Sequence, residues 1–157
     1  MSGMEIAAVT DPTDEVGLLV DALNGELGAL YEPEQRHGLA LAAIFEPHIR
    51  FFVARRDGHA LGCGGVALFS GFAEVKRMYV RPDARGQGVA DAIMARLIAE
   101  TRGAGLSVLR LETGTESFAA IHFYRRSGFQ DCPAFEPYAS LPPHRIAAST
   151  FLERTVL

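Results

Sequence analysis

The chain has 157 residues, 48 % apolar and 22 % charged. That balance fits a globular domain that buries roughly 70 % of its unfolded surface, and it excludes a disordered or fibrous chain. A net charge of −4 leaves no overall positive field to hold nucleic acid, and no apolar run reaches the roughly 18–20 residues of a membrane span. Two cysteines, Cys63 and Cys132, cannot build a disulfide framework. With an acidic N-terminus lacking a secretory pattern, they point to a single cytoplasmic domain over residues 1–157. Charge is unevenly spread. Residues 1–47 hold nine acids and only Arg36 as a base, whereas residues 76–110 hold seven bases and three acids. Such a division suits a cationic substrate meeting an anionic cofactor.

Glu5–Val9 reads as a first strand. Asp11-Pro12 resembles a cap and first turn. Val16, Leu18, Leu19, Ala22, Leu23 and Leu27 then follow helical spacing, and a second helix is expected from Pro33 to Ile44. Phe51–Arg55 and Ala60–Leu68 flank Arg56-Asp57-Gly58-His59, a hairpin signal, and Gly62, Gly64 and Gly65 predict a bulge or close backbone approach. Phe72–Val80 forms a further strand, with Val75, Arg77 and Tyr79 on one face and Glu74, Lys76, Met78 and Val80 on the other. Ala90, Ile93, Met94, Leu97 and Ile98 make one apolar helical stripe ended by Gly103 and Gly105. Leu106–Thr113 is a strand, so residues 72–113 read as a strand–loop–helix–strand crossover with parallel strands. Ser117–Ser127 is a helix closed by Gly128, with Phe129 packed behind it. The tail is mostly loop, with a last strand near Thr150–Val156.

Arg85-Gly86-Gln87-Gly88-Val89-Ala90 lies between a strand and that amphipathic helix. Unpaired N–H groups and the dipole of a helix start favour an anion there. Glycines let the main chain approach it, and Arg85 adds forked donors suited to phosphate. Gly88 is not followed by the Lys-Ser/Thr of a nucleoside-triphosphatase loop. Position 91 is Asp, not the Gly or Ala of a dinucleotide fingerprint, and the preceding strands form an antiparallel meander.

Arg85-x-x-Gly88-x-Ala90 matches the Gln/Arg-x-x-Gly-x-Gly/Ala motif of the GNAT superfamily of N-acetyltransferases. Glu74–Pro82 resembles the strand leading into that motif, and Leu111-Glu112-Thr113-Gly114 the strand after it. Ser117-x-x-Ala120-x-x-Phe123-Tyr124-x-x-x-Gly128-Phe129 resembles the family's closing signature, with Ser117 standing where Asn is usual. The resemblance covers residues 50–138. It implies a mixed, mainly antiparallel twisted α/β sheet with a central splayed parallel pair and helices on both faces. It also implies an acetyl-CoA site without a metal. Backbone N–H groups of Arg85, Gly86, Gln87, Gly88, Val89 and Ala90 would hold the diphosphate, and the backbone of Met78 and Val80 would pair with the pantetheine arm. Ser117 is a further candidate contact.

The implied reaction is direct attack of a small-molecule primary amine on the thioester in a ternary complex. Peptide or protein acetylation and a non-catalytic acyl-CoA-binding module are the alternatives. Glu74, at a position resembling the catalytic glutamate of some family members, is the candidate base, its acidity weakened by desolvation, with a water chain as the alternative. Tyr124, where the family's catalytic tyrosine falls, is the candidate acid for the leaving sulfur. Met78 N–H would be the oxyanion donor. Phe135, Glu136 and Tyr138 are candidates for the acceptor pocket. His122 falls on another face of its helix, and Cys63 reads as structural rather than as a nucleophile. His37, His48, His59 and His144 have no metal-ligand spacing. The acids at 26–34 suggest a cationic amine, and exposed edge strands leave a homodimer open.

Overall fold

The computed structural model describes residues 3–35 and 40–156. β1 (Glu5–Val9) comes first. Thr13, not Asp11, then caps helix α1 (Asp14–Leu30): its hydroxyl accepts from the Val16 amide at 3.2 Å, and Asp14 and Glu15 complement the helix dipole. Val16, Leu19 and Val20 form the buried face of α1. The helix expected over 33–44 is replaced at its ends by single 3-10 turns, Pro33–Gln35 and Ala42–Phe45, and residues 36–39 lie outside the described residues.

β2 (Ile49–Arg56), β3 (His59–Leu68) and β4 (Ala73–Val80) form the meander, turning at Asp57-Gly58 as the hairpin signal required. α2 (Val89–Gly103) crosses over to β5 (Val108–Gly114). α3 (Phe118–Arg126) follows and ends at Gly128, whose φ of +96° is the expected left-handed cap. β6 (Gln130–Asp131), α4 (Pro143–Ile146) and β7 (Ser149–Thr155) complete the chain. The sheet order is β1-β2-β3-β4-β5-β7-β6. Every pairing is antiparallel except β4 with β5.

Two features of β4 shape the site. The β4–β5 pairing holds only at Ala73–Leu109 and Glu74–Arg110, so the strands part beyond that point and leave a wedge between them. A bulge also interrupts the β3–β4 register between Cys63 and Gly65, with Arg77 at φ +52°. The simple alternation expected for β4 therefore fails at Arg77. Val75 joins Met78 and Val80 on the α2 side, while Tyr79 packs on the α1 side with Val16, Val53 and Cys63. The α2 core is built from Phe52, Val66, Ile93, Leu97, Leu109, Leu111 and Leu152, with Tyr124 and Phe129 of the α3 segment packed into it. A third cluster, Phe135, Tyr138 and Phe151, lies under the tail. Among the described residues no helix is long and apolar enough to cross a membrane.

Candidate active site

The wedge between β4 and β5 opens into a groove of about 840 Å³ bounded by Met78, Val80, the 85–91 segment, Ser117, Phe123 and Tyr124. A smaller chamber of about 110 Å³ lies deeper, between Glu74–Met78 and Leu111–Gly114. Leu23, Leu27, Met78, Thr113 and Tyr124 line both, so the two are neighbours across these side chains.

The mouth of the groove is made for an anion. Gly86 and Gly88 have φ of +76° and +82°, and Gly88 is the N-cap of the fifteen-residue α2. A Cβ at either glycine would meet nothing within 4 Å, so the space against this backbone is open while the backbone shape excludes other side chains. These features fit a diphosphate at the start of α2. Arg81 N–H bonds to Leu61 C=O on β3 at 2.8 Å. By strand alternation, the polar groups of Met78 and Val80 therefore turn to the wedge.

Several expected contacts differ in detail. The Arg85 side chain donates from Nε to Val80 C=O at 3.0 Å and from Nη2 to Glu26 at 2.6 Å, lying over the Tyr79 ring. It thus occupies the Val80 carbonyl, leaving the Val80 N–H to the wedge. The Gln87 side chain turns away, accepting from Arg56 and donating to Asp83 C=O. Arg126, absent from the sequence expectations, lines the groove beside Asp91, 3.4 Å away. Ser117 Oγ lies 2.9 Å from the Tyr31 hydroxyl, which also accepts from Glu116 N–H at 2.8 Å. Gly114 makes this bridge from α1 to α3 possible, because any Cβ there would overlap the Tyr31 ring.

The chamber concentrates the titratable groups. Glu74 is 1 % exposed; its Oε2 lies 2.9 Å from Lys76 Nζ and accepts from the Tyr138 hydroxyl at 2.6 Å. Burial, and then the Glu74 charge, holds the Tyr138 phenol strongly in its protonated form. Across the wedge, burial raises the Glu112 carboxyl to about 7, although the Ser149 hydroxyl donating at 2.6 Å opposes the shift. Burial raises the Tyr124 phenol to about 12, with Glu112 adding to it, so Tyr124 keeps its proton at neutral pH.

Of the three tail candidates only Tyr138 lines the chamber. Phe135 is buried among aromatic rings, and Glu136 is exposed with Ser140 donating to it. Cys63 donates to Arg77 C=O at 3.4 Å in the α1-side core, its thiol raised to about 12 by burial, and His122 is exposed on α3. Of the 26–34 acids, Glu26 is held by Arg85 and Glu32 is exposed, while the Glu34 side chain lies outside the described residues. The carboxyls facing the chamber are Glu74 and Glu112 instead. Glu112, like Arg126, lines the site without having been singled out from the sequence. Its signal in the sequence is a carboxylate near the end of an apolar strand, directly after Leu111.

A groove bordered by the positive-φ glycines of α2 at one end, with a buried carboxyl and a buried phenol near the other, has room for an extended ligand. The chain belongs to the acetyltransferase (GNAT) family, whose model matches residues 19–129, and it is an acyltransferase. It is 41 % identical to an IAA acetyltransferase of Azospirillum brasilense over 98 % of this chain and 99 % of that one. A Klebsiella pneumoniae chain described as an acyl-CoA N-acyltransferase superposes with a TM-score of 0.79 at 31 % identity, covering 98 % of both chains. The PaiA N-acetyltransferase of Thermoplasma acidophilum, solved with coenzyme A, shares the fold with a TM-score of 0.71 at 14 % identity, over 98 % of this chain and 99 % of that one.

Proposed function

We propose that the enzyme moves an acetyl group from acetyl-CoA to the primary amine of a small molecule by direct attack in a ternary complex. The observation that supports this reading is the pair of positive-φ glycines, Gly86 and Gly88, at the start of α2, bordering a groove that passes Met78 and Val80 and reaches Tyr124 beside a small pocket of about 110 Å³. When bound, acetyl-CoA supplies the activated thioester. The N–H groups of the 85–90 segment hold its diphosphate, and Met78 and Val80 pair with the pantetheine arm as an added strand would. Ser117 and Arg126 border the same arm.

Proton transfer falls to two residues that line the chamber. Glu112 accepts the proton from the attacking amine, because a buried carboxyl with a pKa of about 7 is ionised at working pH yet basic enough to take it. Glu74 was the expectation for this role, but its Oε2 is already taken by Lys76 and Tyr138. Met78 N–H donates to the carbonyl oxygen as charge builds there. The C–S bond breaks as C–N forms, and Tyr124 gives its phenolic proton to the departing sulfur. Glu112 then restores the Tyr124 proton through solvent, which balances the cycle.

Coenzyme A release with an amine panel tests this. Tyr124→Phe and Glu112→Gln each lower kcat about 10²-fold or more while coenzyme A affinity changes less than threefold. Unchanged kcat in both variants refutes the assignment.

A further inference from the structure

Acetyl transfer as proposed leaves one atom of the chamber without a task. Oε1 of Glu74 is buried and has no hydrogen-bond partner among the described residues, although Oε2 of the same carboxylate is bound by Lys76 and Tyr138. The Lys76 ammonium also donates to the Tyr138 hydroxyl at 2.8 Å, so the three groups brace one another and fix the carboxylate in place. A buried acceptor lacking a donor is unfavourable, and most such atoms in folded proteins are satisfied. Glu74 is among the residues lining the chamber, so a ligand bound there is a candidate source of the missing donor. Position supports this. Glu74 sits beside Arg110 in the parallel register, and Glu112 is two residues further along β5 on the same face. An amine whose nitrogen reaches Glu112 therefore lays the rest of its skeleton beside Glu74.

We infer that Glu74 is an acceptor-recognition residue, its Oε1 receiving a hydrogen bond from a second O–H or N–H that the acceptor carries a few atoms from its nucleophilic amine. The substrate class is then a small bifunctional amine, such as an amino alcohol or an amino amide, rather than a plain alkylamine. The Lys76 ammonium already balances the Glu74 charge, so a neutral donor suffices. An acceptor carboxylate at that point would meet lone pairs. This inference rests on the acetyl-transfer reading above and sharpens it.

The test compares plain alkylamines with amino alcohols of equal chain length, three to six carbons, where the hydroxyl barely alters amine basicity. Coenzyme A release is followed in the wild-type enzyme. At one length the amino alcohol exceeds its alkylamine about tenfold or more in kcat/KM, mainly through KM, since a site built to bond a donor rejects the analogue lacking it. Glu74→Gln, which can present an N–H in place of Oε1, reduces that preference to about twofold or less. Glu74→Asp withdraws the carboxylate and moves the preferred length up by about one carbon, so it serves if the glutamine variant fails to bind coenzyme A in a calorimetric titration. Equal kcat/KM at every length overturns the inference and leaves acetyl transfer standing. An unaltered preference in the variants, with kcat reduced alike for all acceptors, also overturns it and marks Glu74 as the base. Release with none of the amines removes the acetyl-transfer reading and this inference together.

Discussion

At the residue scale, two carboxyls a short distance apart have been given opposite surroundings. Lys76 and Tyr138 bind Glu74, whereas Glu112 has the Ser149 hydroxyl as a donor, and burial raises it from 4.5 to about 7 against the opposing Lys76 charge. On the proposed role of Glu112 the activity consequence is an acid limb. Below about pH 7 its protonated fraction grows, and kcat at saturating amine falls tenfold per pH unit; Glu112→Gln removes that limb, as a pH–kcat profile reads directly. The stability consequence has the opposite sense. With its folded pKa above the unfolded one, Glu112 binds more protons in the folded chain between about 4.5 and 7, so stability decreases as pH rises through that window. Melting temperatures at pH 5 and pH 8 should show this decrease in the wild type and a smaller one in Glu112→Gln. An equal decrease in both would place its origin elsewhere.

At the element scale, the site depends on strands and helices failing to close on one another. β4 and β5 pair for two residues and then part, and the bulge at Arg77 switches which residues of β4 face each core. The far wall of the wedge is held by Tyr31, which reaches from the end of α1 to Ser117 and Glu116 at the start of α3. Gly114→Ala drives a methyl into the Tyr31 ring and breaks that bridge. It should lower unfolding free energy by about 1–3 kcal/mol and loosen the chamber. Chemical denaturation gives the first number, and a rise in acceptor KM reports the second. Full stability in this variant would show that Tyr31 relocates without cost. None of this follows from local patterns, because Tyr31 and Gly114 read separately as a helix end and a strand end.

At the scale of the whole molecule, one seven-stranded sheet carries both halves of the site, with α1 on one face and α2 and α3 on the other. A ligand bridging the 85–90 segment and the β4 edge therefore stabilises the whole sheet. Coenzyme A at one hundred times its dissociation constant should add about 2.7 kcal/mol of stability, read as a rise in melting temperature. ATP at the same concentration should add far less, since it has no arm to lie along Met78 and Val80. Equal shifts for the two would mean that only the anion loop binds.

The sequence by itself determined the elements with strong periodicity and the turns written in short-range spacing. These were the meander, the α2 stripe, the Gly128 cap and the glycine turn at 86–88 that starts α2. Each is legible because its physics is local: a turn needs its glycine, and a helix start needs its unpaired N–H groups. Tertiary structure alone decided the surroundings of the two carboxyls. The difference between Glu74 and Glu112 is made by Lys76, Tyr138 and Ser149, contributed by the chain's middle and tail, and by the depth at which the splayed strands bury both. It likewise set Glu26 against Arg85 at the groove. Desolvation and ion pairing depend on distances between residues far apart in the chain, and spacing along it cannot encode them.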